Sequence, residues 1–322
     1  MYKILSDNLS VNQIVMIGIV VAFVITFLAL KHPLPFLPSD KGRDYALNGN
    51  LSKGKIRGVG LTFVVCFLVC SFIFLPVDRE YLIYSILLFG VMLSGYLDDA
   101  SDTPWNEYKK GLIDLILSVI TILTFIDFNS TTVYIGTLEL VLPKVLYVIL
   151  GIILFWVSIN VTNCSDGVDG LCASVASVVL MSFSIIFSQT LGKYAMANFL
   201  FVAVLLAYLY FNSSPSSMLM GDAGSRALGF FIAIVTIKTG HPFIFILLAG
   251  VFLIDGGLGL VKVFLLRFLK VGILKNTLTP IHDHVRKKHH WSDTQVVVRF
   301  LIIQALLAVS AYVIVVQYYV LI

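Results

Sequence analysis

Charge is what this 322-residue chain has least of. Asp, Glu, Lys and Arg make up 12% of it, where a typical soluble domain carries about 25%. Hydrophobic residues reach 59%, and the mean hydropathy is +0.97. So little charge cannot cover a water-facing surface, which excludes a soluble globular enzyme. The net charge of +4 is too small to draw nucleic acid to the molecule as a whole, and no nucleic-acid partner is expected. Cysteine is scarce as well. The four present form no C-x-x-C: Cys66 and Cys70 share one apolar run, and Cys164 and Cys172 flank a polar motif. They read as small buried hydrophobes, neither a disulfide framework nor a zinc site. No cleavable signal is expected either, because Asp7 and Asn8 interrupt the first stretch and no small-x-small site follows. The first apolar run is therefore expected to stay as a membrane helix.

What the chain has is hydrophobic length. A spanning helix needs about 20 mostly apolar residues. Ten runs qualify or come close: Val11–Leu30, Val59–Val77, Tyr81–Leu97, Leu112–Phe128, Val145–Val161, Leu171–Leu191, Met196–Phe211, Ala227–Ile237, Phe243–Leu266 and Phe300–Ile322. The eighth is short and is expected either to extend through Lys238 by snorkelling or to be shielded by neighbours. The ninth holds Asp255 and Lys262, so it should face protein or water and bend near Gly256-Gly257-Gly259. The expectation is an all-α polytopic membrane protein of about ten transmembrane helices. Residues 1–322 then form one transmembrane catalytic domain.

Ten spans place alternate loops on opposite sides. Loops 31–58, 98–111, 162–170, 212–226 and 267–299 hold 16 of the 22 Lys and Arg residues, and the other side holds 5. Positive residues mark the cytoplasmic side, so both termini are expected outside. The polar motifs crowd into the same loops. Asp98-Asp99 ends the third run, followed by Asp102, and paired carboxylates at a membrane face call for a cation such as Mg²⁺. Asn163-Cys164-Ser165-Asp166-Gly167-Val168-Asp169-Gly170 places Asn163, Asp166 and Asp169 near one another if that stretch is helical. Met220-Gly221-Asp222-Ala223-Gly224-Ser225 offers a carboxylate beside helix-start N–H groups suited to phosphate. Pro280-Ile281-His282-Asp283-His284 lacks a third zinc ligand of fitting spacing, and the cations Arg286, Lys287 and Lys288 after it favour an anion. Carboxylates, a metal and basic loops on an apolar body suit chemistry on a lipid phosphate or diphosphate.

Taken in order, Gly95-Tyr96-Leu97-Asp98-Asp99, Asn163 to Gly170, Met220 to Ser225 and Pro280 to His284 resemble the polyprenyl-phosphate N-acetylhexosamine-1-phosphate transferases, and within them the peptidoglycan branch. Leu37 to Arg43, Ser52-Lys53-Gly54-Lys55 and Val298-Arg299-Phe300 extend the match over nearly the whole chain. The resemblance implies transfer of phospho-MurNAc-pentapeptide from UDP-MurNAc-pentapeptide to undecaprenyl phosphate, giving lipid I and UMP. It implies Mg²⁺ and a homodimer in the lipid bilayer of a bacterial plasma membrane, with the active site on the cytoplasmic face. Onto this chain it carries Asp98 and Asp99 at the reaction centre and Asp222 as metal ligand, with Asp99 beside it. Lys53, Asn163, Asp166, Asp169 and Asn212 become the nucleotide-sugar site, and His282 and His284 lie near the phosphates or sugar. The chain departs from the family where Asp283 stands between the two histidines, where Asp102 stands in place of a lysine, where Leu219 precedes Met220 in place of an aromatic, and where Gly54-Lys55-Ile56-Arg57 replaces a Gly-Thr-Pro-Thr stretch. Three alternatives stay open. One is a UDP-GlcNAc:undecaprenyl-phosphate transferase. Another is a membrane prenyltransferase, since Asp98-Asp99-Ala100-Ser101-Asp102 has a diphosphate-binding pattern. The third is a transporter using Asp255 and Lys262 as a midplane pair.

Overall fold

The computed structural model describes residues 2–42 and 52–319. Arg43, the rest of loop residues 43–51 and the end of the last apolar run lie outside the described residues. Over the described residues each of the ten apolar runs falls mostly on helix. A short turn, α1 (Tyr2–Ser6), precedes α2 (Val11–Lys31), which starts in a capping box. There the Ser10 hydroxyl accepts the Gln13 N–H, and the Gln13 side chain accepts the Ser10 N–H. Next come α3 (Gly60–Phe74), α4 (Arg79–Asp99) and α5 (Glu107–Phe128). Asp78 and Asn106 cap the last two by accepting the N–H groups of Tyr81 and Lys109. Then follow α6 (Lys144–Cys164), α7 (Leu171–Ile186), the single turn α8 (Ser188–Leu191), α9 (Lys193–Asn212) and α10 (Gly221–Lys238). The ninth run breaks into α11 (Phe245–Leu248), α12 (Gly250–Phe252), a π-helical turn (Leu253–Gly257) and α13 (Leu258–Phe268). Helix α14 (Ile281–His289) carries the histidine motif and α15 (Asp293–Tyr319) closes the chain.

Six of these helices are long and apolar enough to cross a membrane, and a seventh is added if the bent ninth run is one span. Helices α3 and α7 are apolar but have only 15 and 16 residues, and α10 opens with the charged Asp222 and Arg226. The protein is thus mostly helical and polytopic.

Helix α10 is the axis. Every residue from Gly221 to Ile237 is buried, enclosed mainly by α4 and α6 with α3 alongside. A helix buried all round at its polar end needs internal partners for its charges. Arg226 finds one in Asp114 of α5, at 2.6 Å, with both side chains buried. Arg226 is therefore an interior residue and not a loop cation. Helix α4 reaches the first turn of α10 backbone to side: a Cβ at Gly95 would lie 2.4 Å from the carbonyl oxygen of Asp222. That contact brings Asp98 and Asp99 against the Met220–Ser225 motif.

Three expectations change. The chain is not all helix: Thr132–Ile135 and Leu138–Val141 pair antiparallel across a Gly136-Thr137 turn, as alternating Thr-Val-Tyr-Ile and Leu-Glu-Leu-Val segments favour. For the eighth run shielding by neighbours holds and snorkelling does not: Lys238 packs half-buried against Glu80, 3.0 Å from both carboxylate oxygens, and donates to Asn129 Oδ1 at 2.7 Å. The ninth run bends by 74° between Leu248 and Gly250, earlier than its glycines. Buried Gln304 of α15 satisfies that break, donating to the Leu248 carbonyl at 2.8 Å and accepting the Val251 N–H at 3.1 Å.

Candidate active site

Two adjoining parts make the site. The first is a cluster of carboxylates where α4 ends and α10 begins. Asp99 is the innermost, with a fully buried side chain. Its oxygens accept the N–H groups of Asp222 and Ala223 at 3.1 and 3.0 Å, so it caps α10 with a negative charge at the positive end of the helix dipole. Gly221 makes that approach feasible. Its φ is +68°, and a Cβ there would sit 2.3 Å from Asp99 Oδ2. The helix-start donors expected to hold phosphate are therefore already taken up by Asp99.

Two cations complete the cluster. Arg57 spreads its guanidinium over three acids: Nε to Asp99 at 2.8 Å, Nη1 to Asp40 at 3.0 Å and Nη2 to Asp222 at 3.5 Å. Burial works against this charge, but Asp99 and then Asp222 outweigh it and hold the Arg57 pKa above its ordinary value. Lys110 places its ammonium between Asp98 and Asp222, 2.9 Å from Asp222 Oδ2. Asp98 also accepts the Trp105 N–H, and Asn163 donates to Asp222 at 3.3 Å and to Ser225 at 2.9 Å.

The second part is a cleft of about 450 Å³. Arg57 and Gly221, which also contact the acids, line it together with Asp166, Asp169, Asn212, His282 and Arg286. Lys55 and Arg57 reach it from extended backbone. Ile56 bridges to Ser39 on one side and to Met218 on the other, and Leu219 donates to the Ile56 carbonyl at 2.8 Å. On an extended segment residues two apart share a face, so Lys55 and Arg57 both turn to the cleft. Lys55 lies 3.5 Å from Asp169 and donates to Ser216 Oγ at 2.9 Å.

The expected site residues distribute unevenly. Asp98, Asp99, Asp222 and Asn163 come together in the cluster. Asp166, Asp169, Asn212 and His282 line the cleft. Asn163, Asp166 and Asp169 do not stack on one helical face, because α6 stops at Cys164 and turns follow. Asn212 is a clamp, accepting the Gly170 N–H and donating to the Met218 carbonyl, both at 2.9 Å. Lys53 is exposed at the Ser52–Gly54 turn, and Lys55 takes its place at the cleft. His284 stands outside the cleft lining, its Nδ1 accepting the Leu278 N–H at 3.2 Å. Asp102 is fully exposed and meets Lys41 at 3.4 Å, apart from Asp98 and Asp99, so the three acids of the prenyltransferase pattern do not converge. Lys262 donates to the Thr277 carbonyl, while Asp255 pairs with His282, so the transporter pair is absent.

A divalent metal was expected on Asp222 and Asp99. Among the described residues no three His, Cys, Asp or Glu side chains converge on one point. Asp99 is committed to the helix cap, its Oδ1 accepting Arg57 and the Asp222 N–H and its Oδ2 the Ala223 N–H, which leaves it one open acceptor position on Oδ2. Asp98 and Asp222 do fit, because both already point at one cation, the Lys110 ammonium. Two carboxylates completed by substrate phosphates are the usual donor set for Mg²⁺. Asp40, Asp98, Asp99 and Asp222 against Arg57 and Lys110 also leave two negative charges uncompensated.

Lys55, Arg57 and Lys110 are site residues that sequence reasoning missed. Their signals were modest: two cations at alternate positions between Gly54 and Gly58, and Lys110 four residues before Asp114 on one helix face.

The site is thus a buried acid cluster opening on a polar cleft, carried by an apolar helical body. The family model for glycosyl transferase family 4 matches residues 81–240. Phospho-N-acetylmuramoyl-pentapeptide-transferase of Treponema pallidum is 36% identical over 91% of this chain and 87% of its own length. The enzymes so named from Dictyoglomus turgidum and Oceanobacillus iheyensis are each 30% identical, over 92% and 91% of this chain and 97% and 95% of their own lengths. The chain belongs to the phospho-N-acetylmuramoyl-pentapeptide-transferase family of membrane phosphoglycosyl transferases.

Proposed function

We propose that this protein transfers phospho-MurNAc-pentapeptide from UDP-MurNAc-pentapeptide to undecaprenyl phosphate, releasing UMP and forming lipid I. The observation that carries the reading is the acid cluster of Asp98, Asp99 and Asp222 standing beside a polar cleft lined by Asp166, Asp169 and His282. The cleft is the donor site, with Lys55 and Arg57 offering positive charge to the diphosphate.

The attacking group is the lipid phosphate itself. A phosphate monoester has a second pKa of about 6 and is largely dianionic near neutrality. A general base is then superfluous, and a carboxylate of ordinary pKa about 3.9 makes a poor one. Asp98 and Asp222 hold Mg²⁺ in this reading, and the metal supplies charge neutralisation on the donor diphosphate. Asp99 keeps Asp222 in place through the α10 cap. His282 faces the bound donor.

The ten helical runs are read as spans of one catalytic domain, with loops 31–58, 98–111, 162–170, 212–226 and 267–299 in the cytoplasm and both termini outside, as the excess of cations in those loops supports. The site then faces the cytoplasm of a bacterial plasma membrane, where a soluble nucleotide donor meets a lipid acceptor. A homodimer follows from the family resemblance. The test offers radiolabelled UDP-MurNAc-pentapeptide or UDP-GlcNAc to the purified protein with undecaprenyl phosphate. Labelled lipid from the muramoyl donor is expected; efficient use of UDP-GlcNAc would overturn the donor assignment.

A further inference from the structure

Asp255 is a buried carboxylate that the phosphoryl-transfer chemistry leaves unused. It sits in the π-helical turn of the ninth run with a fully buried side chain. Three donors converge on it. Oδ1 accepts the backbone N–H of His282 at 2.8 Å, Oδ2 accepts the Ser165 hydroxyl at 2.8 Å, and His282 Nδ1 lies 3.1 and 2.9 Å from the two oxygens. The Ser165 hydroxyl has a second acceptor, the Val161 carbonyl, only at 3.2 Å. A carboxylate accepts and does not donate, so Nδ1 carries the proton in this arrangement. Main chain and ring of one residue are held by one carboxylate, which fixes the imidazole plane as well as its proton.

Nε2 is then the ring nitrogen left to face the cleft. It is directed at Gly167, where a Cβ would lie 2.4 Å away, so only glycine leaves room for the ring. Asp283 and Arg286 stand on the same helix as the imidazole, and Asp166 adjoins Gly167, against which Nε2 lies. Asp283 is the competitor for the proton, but its Oδ1 is 3.9 Å from Nε2, beyond hydrogen-bond reach, and lies 3.4 Å from Arg286 Nη1.

We infer that Asp255, assisted by Ser165, is a positioning residue that locks the His282 proton on Nδ1 and leaves Nε2 as the atom exchanging a proton or hydrogen bond with the bound donor. The part concerning the donor rests on the reading of the cleft given above. The hold on the tautomer does not.

The two parts separate experimentally. In full-length protein labelled with ¹⁵N-histidine, the His282 signals are assigned by their loss in His282→Gln. The neutral ring is expected with Nδ1 protonated and Nε2 bare. In Asp255→Asn the amide N–H faces Nδ1, so the proton should move to Nε2. Turnover should fall by about 10²-fold, the range of a lost acid–base contact, while KM for the donor changes little. Ser165→Ala leaves the Asp255–His282 contact in place and should keep the wild-type tautomer with a loss of turnover under about tenfold. It serves as the second variant if Asp255→Asn does not fold. A wild-type ring protonated at Nε2, or a tautomer unchanged in Asp255→Asn, overturns the inference. A tautomer that moves with turnover unchanged also overturns it, by removing Nε2 from the reaction. Wild-type protein with the expected tautomer but no transfer activity instead overturns the transferase reading and leaves the Asp255 lock standing.

Discussion

Arg57→Gln removes the cation that three acids share. The guanidinium is only 17% exposed and meets Asp99, Asp40 and Asp222 within 3.5 Å. Breaking a buried ion pair costs about 3–5 kcal/mol, chiefly because a charge is left behind unpaired. Each acid here keeps other donors: Asp99 the N–H groups of Asp222 and Ala223, Asp222 the Lys110 ammonium, and Asp40 the Gly42 N–H and Ser52 hydroxyl. The lower end, about 3 kcal/mol, is therefore the expected loss of stability. An equal loss of transition-state stabilisation lowers kcat/KM by about 10²-fold. Both are readable, the first as thermal inactivation in detergent and the second in the transfer assay. Arg57→Lys should recover less than half of the loss, because one ammonium cannot reproduce a planar fork spanning three carboxylates. A double-mutant cycle with Asp40→Asn should return a coupling of about 1–3 kcal/mol. If Arg57→Gln stays within twofold of wild type in both assays, or the cycle returns less than about 0.5 kcal/mol, Arg57 does not organise the site.

At the opposite end of α10, Lys238→Met leaves Glu80 buried without its cation and should cost about 3–5 kcal/mol; adding Glu80→Gln should restore most of it, with turnover per folded molecule unchanged throughout. The basic run after the histidine motif should split. Arg286 is buried between Asp283 and Asp293, so Arg286→Gln should destabilise the protein. Lys287 and Lys288 are exposed, and Lys287→Gln with Lys288→Gln should raise KM for the peptide-bearing donor only a few-fold with kcat unchanged, since such exposed pairs are worth about 0–1 kcal/mol each. An equal effect on a donor lacking its peptide would assign these lysines to lipid headgroups instead. Cysteines placed at the exposed Thr103 and Ser130 should label from the cytoplasm and from outside respectively, and the reverse pattern would invert the topology.

Much of this was legible in the chain, for physical reasons. Hydrophobic length marks helices because backbone polar groups inside a bilayer must satisfy one another, and among the described residues each apolar run proved mostly helical. The acids were legible because a carboxylate at the end of an apolar span is too costly to be incidental. Their division of labour was not. That Asp99 caps a helix while Asp98 and Asp222 share a cation depends on how closely Gly95 and Gly221 let two helices approach, which spacing does not encode. Arg57 and Lys55 were hidden because the Ile56 segment pairs with chain more than 150 residues away, at Met218. The hairpin at 132–141 was lost among neighbouring apolar runs, since four-residue strands give too short a pattern to stand out beside twenty-residue helices. Asp255 and Lys262 share one run in the sequence, whereas the partner of Asp255 is His282 on α14, a pairing that spacing does not encode.

Direct transfer at Asp98 and Asp222 is the central claim, and one single-turnover experiment reaches it. UDP-MurNAc-pentapeptide carrying ³²P at the sugar-linked phosphorus is mixed with excess purified enzyme and undecaprenyl phosphate, with and without Mg²⁺, and quenched over time. The label should pass from donor to lipid in step with UMP release, only when Mg²⁺ is present, with no labelled protein at any time. Label trapped on the protein, or transfer unaffected by removing Mg²⁺, would contradict it.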